Sequence, residues 1–252
     1  MKLTLKNIGK IGTASVEING ITVIAGENNT GKSTVGRAFF AVFNSFCNVQ
    51  RQIENERVDS VENLLDRMYI NSNPRFMRIA NTNEIAKTIV AHIDLYRQAE
   101  LSDMQKKITD LLFQYDEGKI ESFDEKTITE TVSRIKDILN VSDMEFLESV
   151  LERRLDAEFN EQVCNIFSGN DGEIHLQIKD ATITVSVENE GCINIQNPSN
   201  ISLHTEVVYL DDPFVLDDSN MFYRRIPRTS TDHRSHLRKK LFWSDSEANV
   251  FD

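Results

Sequence analysis

The segment from Gly26 to Thr34, GENNTGKST, constrains the fold of this chain more than any other stretch. It matches the pattern G-x-x-x-x-G-K-S, in which a glycine-containing loop leads directly into a helix. Gly26 and Gly31 allow a sharp turn and a close approach of the backbone to an anion, and successive loop N–H groups form one concavity. The helix that begins near Lys32 places its positive dipole end behind that concavity. The pattern therefore predicts a phosphate-binding loop.

The side chains of the loop have separate predicted roles. Lys32, the first candidate catalytic residue, is expected to neutralise the β- and γ-phosphates of a nucleotide, and the Ser33 hydroxyl to ligate Mg²⁺. Thr34 is expected to contact the α-phosphate. The predicted nucleotide-binding residues are Gly26, Asn28, Asn29, Thr30, Gly31, Lys32, Ser33 and Thr34. The predicted ligands are accordingly ATP and Mg²⁺.

Both flanks of the loop agree with this interpretation. The segment 20–25 is short, apolar and β-branched, which predicts a buried strand. After the loop, apolar residues recur at the spacing of a helix with one buried face. They are Val35, Ala38, Phe39, Val42, Phe43 and Phe46.

Composition excludes several classes of protein. The 252 residues are 40% hydrophobic and 27% charged, which is typical of one or two globular domains. No apolar run approaches the length of a membrane span, and the N-terminus has no apolar core of a signal peptide. The three cysteines show no metal-ligand spacing and predict small buried side chains in a reducing, cytoplasmic compartment. A net charge of −12 argues against a generally basic, nucleic-acid-binding surface.

The first 50 residues resemble a known family. Two alternating strands, 2–6 and 14–18, precede the loop, and the run contains Asn7-Ile8-Gly9, then Gly20-Ile21-Thr22-Val23-Ile24, then the loop with Asn29. This order is similar to the N-terminal lobe of the SMC/RecF/RecN class of ABC-type ATPases. It looks most like the bacterial AAA-family ATPases related to the OLD proteins, many of which are encoded in anti-phage defence systems.

The resemblance implies an α/β fold, a P-loop NTPase of ABC/SMC head type, with ATP and Mg²⁺ as ligands. It implies that ATP binding closes a homodimer of two heads, that hydrolysis reopens it, and that the complete protein controls an effector protein. A role in anti-phage defence is implied in the same way.

The rest of the chain divides into two parts after a head segment at 1–48. Residues 49–168 carry helical periodicity, with a capping box at Ser142 and Glu145, and predict a helical insertion in the head or, alternatively, an independent bundle. Residues 169–252 begin with three alternating runs that predict an antiparallel β meander and return the chain to the head.

The segment EVVYLDDPF, residues 206–214, permits two interpretations. In one, strand 206–210 is a Walker B strand, Asp211 holds Mg²⁺ through water and Asp212 is the catalytic acid. In the other, which we favour, it is a buried strand whose two acids cap the following turn. The signature motif that the family carries before Walker B, of the type L-S-x-G, is not found in residues 185–205.

Three hypotheses for function follow. The first is an ATP-binding subunit, or the N-terminal part of a longer ABC/SMC-type ATPase that is completed elsewhere. The second is a self-sufficient Mg²⁺-dependent NTPase that uses Asp211 and Asp212. The third is a non-hydrolysing, nucleotide-gated binding module.

The last candidate element is a basic stretch. Seven lysines and arginines lie between Arg224 and Lys240, where Thr231 or Asp232 is expected to cap a short helix. A solvated basic helix is the favoured interpretation, and a contact to nucleic acid or to an acidic partner is the alternative.

Overall fold

The computed structural model describes residues 1–72, 81–116, 124–189, 191–196, 203–211 and 232–247. The strands are β1 (Lys2–Ile8), β2 (Ile11–Glu17), β3 (Gly172–Ile178), β4 (Ala181–Val187) and β5 (Ile193–Gln196). The helices are α1 (Lys32–Ser45), α2 (Val49–Ser72), α3 (Thr82–Ala91), α4 (Ile93–Gln98), α5 (Leu101–Asp116), α6 (Glu125–Asn140), α7 (Asp143–Phe159) and α8 (His233–Glu247). Two units result, a sheet unit of Met1–Val49 with Leu147–Asp252 and a helical unit of Gln50–Phe146. The fold is therefore mixed α/β.

The sheet unit is built on five antiparallel strands in the order β2-β1-β3-β4-β5. Leu3 lies opposite Leu176 and Leu5 opposite Ile174, and all four side chains are buried. Alternate residues share one face of a strand, so this register places the apolar side chains of β1 and β3 together. The two N-terminal strands and the β meander that the alternation predicts are confirmed.

Helix α1 contacts β1 and β3. Val35, Ala38, Val42 and Phe43 of the predicted apolar positions are buried, but so is every residue from Phe40 to Ser45, so the second half of the helix is buried beyond the one predicted face. The helix begins at Lys32, as the sequence predicts. The sheet and α1 together therefore fix the position of the loop before Lys32.

The helical unit has its own core. Three of its helices, α3, α4 and α5, follow closely on one another, and their apolar sides pack with those of α2 and α6. The Arg57 guanidinium, itself buried, binds the Asp143 carboxylate at 2.8 Å and the carbonyl oxygen of Val141 at 2.6 Å. The unit ends at Phe146, before the boundary at residue 168 that periodicity suggests, because most of α7 belongs to the sheet unit. None of the helices in the described part combines the length and apolar character that crossing a bilayer requires.

Two predicted strands are absent. Residues 20–25 and 206–210 join no ladder among the described strands, and Ile21 and Val208 are 95% and 51% exposed. An extended apolar segment becomes a strand only when another strand pairs with it. The prediction that these two segments are buried strands was wrong.

Cys192 is exposed, whereas the sequence analysis predicts that all three cysteines are buried.

Candidate functional site

The turn at Gly31 sets the geometry of the loop. Its φ of 94° is left-handed, and a Cβ there would lie 2.8 Å from Cγ1 of Ile11. Both the backbone angle and the space therefore require glycine. Gly31 is the N-cap residue of α1, and no side chain in the described ranges caps this helix. The first-turn N–H groups of α1 are therefore available to an anion.

The ammonium of Lys32 lies inside the loop. Its Nζ donates to the carbonyl oxygen of Gly26 at 2.7 Å and to that of Glu27. Thr30 closes the same turn by donating its hydroxyl to the Glu27 carbonyl oxygen at 2.9 Å. A positive charge is therefore fixed beside the N-terminus of α1, where the sequence predicts that it meets phosphates.

An open cleft of about 500 Å³ adjoins the loop. Its lining joins three segments of the sheet unit: the β1–β2 turn, the loop with the start of α1, and the chain around the end of α7. The lining residues are Gly9, Lys10, Asn28, Asn29, Gly31, Lys32, Ser33, Thr34, Arg37, Phe159, Gln162, Cys164, Ile166 and Phe167. Six of the eight predicted nucleotide-binding residues thus line one cleft, and Gly26 and Thr30 support the loop from outside that lining.

The cleft is cationic. Lys10, Lys32 and Arg37 line it, and none of its described lining residues is an aspartate or a glutamate. Lys10 donates to the side-chain oxygen of Asn29, and Arg37 donates from Nη1 to the carbonyl oxygen of Glu158 at 3.0 Å. In a chain with a net charge of −12, three basic side chains without a carboxylate mark a place for an anion.

Sequence reasoning missed part of this lining. Lys10 and Arg37 lie outside the loop motif. Phe159, Ile166 and Phe167 come after the helical unit in the sequence, far along the chain from the loop. One signal was available: Phe167 stands between turn-forming residues in the run NIFSGNDG, where an aromatic side chain has no helix or strand in which to be buried.

Asp211 does not lie in the cleft. Its carboxylate binds Nη2 of Arg234 at 2.8 Å and lies 3.0 Å from Nε2 of His233. The hydrogen bond from Arg234, opposed by burial and helped by His233, lowers the pKa of Asp211 to about 2. Arg234 and the His233 ring occupy this carboxylate, so its position does not support the interpretation in which Asp211 holds Mg²⁺. Asp212 lies outside the described residues.

A buried acid lies behind Asp211. The side chain of Glu158 has no exposed surface, and it binds Nδ1 of His233 at 2.7 Å and accepts from the backbone N–H of His233 at 2.6 Å. Burial alone lowers the pKa of His233, but its hydrogen bond to Glu158 and the nearby Asp211 carboxylate outweigh burial and raise the pKa above its ordinary value. Over the described segments no cluster of three or more His, Cys, Asp or Glu side chains has a metal-binding arrangement.

Helix α8 has a buried side that carries its histidines, while its basic side chains Arg234 and Lys240 are about half exposed, at 49% and 52%. Asp232 caps it by accepting from the Ser235 N–H at 2.9 Å, as predicted, and His233 and His236 are buried. The His236 ring packs edge-on against Phe40 of α1, with centroids 5.4 Å apart. The basic side chains Arg234 and Lys240 bind acids of the preceding segment, Lys240 through Glu206 at 2.6 Å. The part of the basic stretch from 224 to 231 lies outside the described residues.

Comparison of the chain with protein-family models, with curated proteins and with solved structures finds no match.

Proposed function

We propose that this chain binds a nucleoside triphosphate, ATP, in the cleft beside the 26–34 loop, as the nucleotide-binding part of an ATPase of ABC/SMC head type. The observation that carries the proposal is the cationic lining, Lys10, Lys32 and Arg37 with no carboxylate among the described lining residues, at a helix N-terminus that no described side chain caps. Backbone N–H groups at such a terminus together with a lysine are the elements that bind the phosphates of a nucleotide.

Each loop residue has a role in the proposal. Lys32 would exchange its bonds to the loop carbonyls for bonds to the β- and γ-phosphates, and Thr34 would contact the α-phosphate. Mg²⁺ would be held by the Ser33 hydroxyl and by phosphate oxygens, which suits a cation that keeps oxygen ligands and several waters. When bound, Mg²⁺ neutralises charge on the phosphates.

In the complete protein, by resemblance to the SMC/RecF/RecN class, ATP would close a homodimer of heads and hydrolysis would reopen it. This is a proposal about the whole protein. Among the described residues that line the cleft there is no acid to act on a water, and Asp212 lies outside the described residues.

A nucleotide-gated binding module is a second candidate, and one contact favours it. Arg37 lines the cleft and binds the main chain of Glu158, whose side chain binds the first residue of α8. A change at Arg37 on nucleotide binding would therefore reach α8 through one residue.

The test pairs ATP binding with ATP turnover in the wild-type chain, Lys32→Ala and Lys126→Ala. Lys126 is the matched control, since its side chain is 84% exposed on α6. Loss of charge-assisted hydrogen bonds to phosphate should weaken Mg-ATP binding about 10- to 150-fold in Lys32→Ala and leave Lys126→Ala unchanged.

Turnover distinguishes the candidates. Binding without turnover at high protein concentration supports the gated module or a head that needs further polypeptide, whereas Lys32-dependent turnover supports an ATPase sufficient in itself. Equal ATP affinity in both variants, or no ATP binding by the wild-type chain, would refute the proposal.

A further inference from the structure

The nucleotide cleft has an apolar wall that phosphates do not need. Phe159, Ile166 and Phe167 line the same cleft as Lys32, and Ile166 and Phe167 are 58% and 85% exposed. An aromatic ring left almost entirely in water gains nothing from folding. Such exposure inside a cleft points to a ligand or partner that covers the ring.

The backbone below this wall is fixed to the sheet. The Gly9 N–H donates to the Val163 carbonyl oxygen at 2.7 Å, and the Asn165 N–H donates to that of Asn7 at 2.8 Å. These two bonds connect the segment after α7 to the β1–β2 turn, which also lines the cleft. The wall and the loop are therefore positioned by the same end of β1.

Asn165 sets the local turn that presents Phe167. This residue is buried, and its Oδ1 accepts from the Phe167 N–H at 2.9 Å. Its carbonyl oxygen accepts from the Ser168 N–H at 3.1 Å. The exposure of the Phe167 ring is thus a property of a hydrogen-bonded turn.

We propose that Phe167, with Ile166, is the platform on which the base of the bound nucleotide stacks, and that the site prefers purine to pyrimidine triphosphates. The proposal rests on the proposed function, which places the phosphates at Lys32 and Thr34. The base and ribose then occupy the remainder of the cleft, and its apolar surface is this wall.

The chemistry of stacking fits these side chains. Aromatic rings bind the face of any nucleobase, and a purine, with two fused rings, covers more of Phe167 and Ile166 than a pyrimidine does. Gln162 lines the same cleft, and its carboxamide offers both a donor and an acceptor to a base edge. We therefore expect the base preference to come mainly from the area covered by stacking, with a smaller contribution from the polar contact of Gln162.

The experiment measures binding of Mg-ATP, Mg-CTP and Mg-tripolyphosphate by calorimetry. The proteins are the wild-type chain, Phe167→Ala, Phe167→Tyr, Phe113→Ala and Lys32→Ala. Phe113 is the matched control, an exposed phenylalanine of the helical unit. Tyrosine keeps the ring, so Phe167→Tyr tests whether stacking rather than the identity of the residue matters.

We expect Phe167→Ala to weaken ATP binding about five- to 150-fold and to leave tripolyphosphate binding within twofold. Phe167→Tyr and Phe113→Ala should bind all three ligands like the wild-type chain. ATP should bind the wild-type chain more tightly than CTP, and Phe167→Ala should reduce that difference. Lys32→Ala should weaken all three ligands.

Four results would overturn the inference. Unchanged ATP affinity in Phe167→Ala, with Lys32 dependence intact, removes the platform and leaves the proposed function standing. An equal loss for ATP and tripolyphosphate shows that the ring supports the loop rather than a base. Equal binding of ATP and CTP by the wild-type chain removes the purine preference. If the wild-type chain binds neither ATP nor tripolyphosphate, the proposed function fails and the platform fails with it.

Discussion

The Glu158–His233 pair offers the most direct test of the contacts that fix α8. The Glu158 side chain is completely buried and that of His233 is 8% exposed. The carboxylate accepts from Nδ1 of His233 at 2.7 Å and from its backbone N–H at 2.6 Å. Replacing Glu158 with alanine leaves a buried imidazole and an orphan N–H at the first residue of α8.

The size of the effect follows from this burial. Removing one partner of a buried ion pair costs about 3–5 kcal/mol, and we expect that loss in the free energy of unfolding of Glu158→Ala. Glu158→Gln keeps one oxygen acceptor and should lose about 1–3 kcal/mol, the cost of one unsatisfied buried group. Glu130→Ala is the control, since its contact with Lys126 at 3.9 Å is an exposed i,i+4 pair worth about 0.5 kcal/mol or less.

The assay is urea unfolding followed by circular dichroism at neutral pH. An unchanged slope with a lower midpoint identifies a loss of stability rather than a change in the denatured state. If the free energy of unfolding of Glu158→Ala is within about 0.5 kcal/mol of that of the Glu130→Ala control, this carboxylate does not fix α8 and the reasoning is refuted.

Two further predictions concern the loop and pH. Gly31→Ala should abolish ATP binding and cost about 1–3 kcal/mol, because φ is 94° and the new Cβ meets Ile11; Gly12→Ala, with open space at its Cβ, should bind ATP normally in the same titration. The raised pKa of His233 contributes stability that is complete below about pH 6.5 and is lost as the pH rises through the folded-state pKa. Burial lowers the pKa of His236, so this histidine affects stability in the opposite sense. To isolate the contribution of His233, the unfolding free energies of the wild-type chain and of His233→Gln are compared between about pH 6 and 9, a range that begins near the ordinary histidine pKa of about 6.5. The wild-type advantage should shrink with rising pH, and a constant difference would contradict the assignment.

Much of the architecture could be predicted from the sequence because the apolar pattern and the turn residues point to the same elements. The alternation in β1 and in β3 to β5 places one set of apolar residues on one face, and the antiparallel register joins those sets. The start of α1 at Lys32 followed from the glycine before it and the apolar period after it. For these elements the sequence predicts both the element and the elements that pack against it.

The site was readable only in part, because the cleft joins residues far apart in sequence. The motif marks Gly26 to Thr34, but Lys10 and Phe167 are placed at the cleft by hydrogen bonds between the end of β1 and the chain after α7. No periodic pattern in the sequence indicates that the end of β1 and the chain after α7 lie side by side. The acids after the predicted strand 206–210 left two interpretations open, because a carboxylate after an apolar run suits Mg²⁺ and a cationic side chain equally. In the structure Arg234 binds Asp211 and His233 lies beside it.

The failure at residues 206–210 has a more specific cause. Asn44 of α1 binds both main-chain groups of Val207, donating to its carbonyl oxygen at 2.7 Å and accepting from its N–H at 2.8 Å. The Tyr209 ring packs on Gly36, where a Cβ would lie 2.6 Å from the ring. The Asn44 amide therefore satisfies both main-chain groups of Val207, as a neighbouring strand would.

The side chains of Val208 and Leu210 are about half exposed, at 51% and 50%. Both the burial and the pairing that the apolar pattern predicts are therefore missing at this segment, among the described residues. A strand is a relation between two segments, so an apolar pattern in one of them predicts the capacity to pair and not the pair itself.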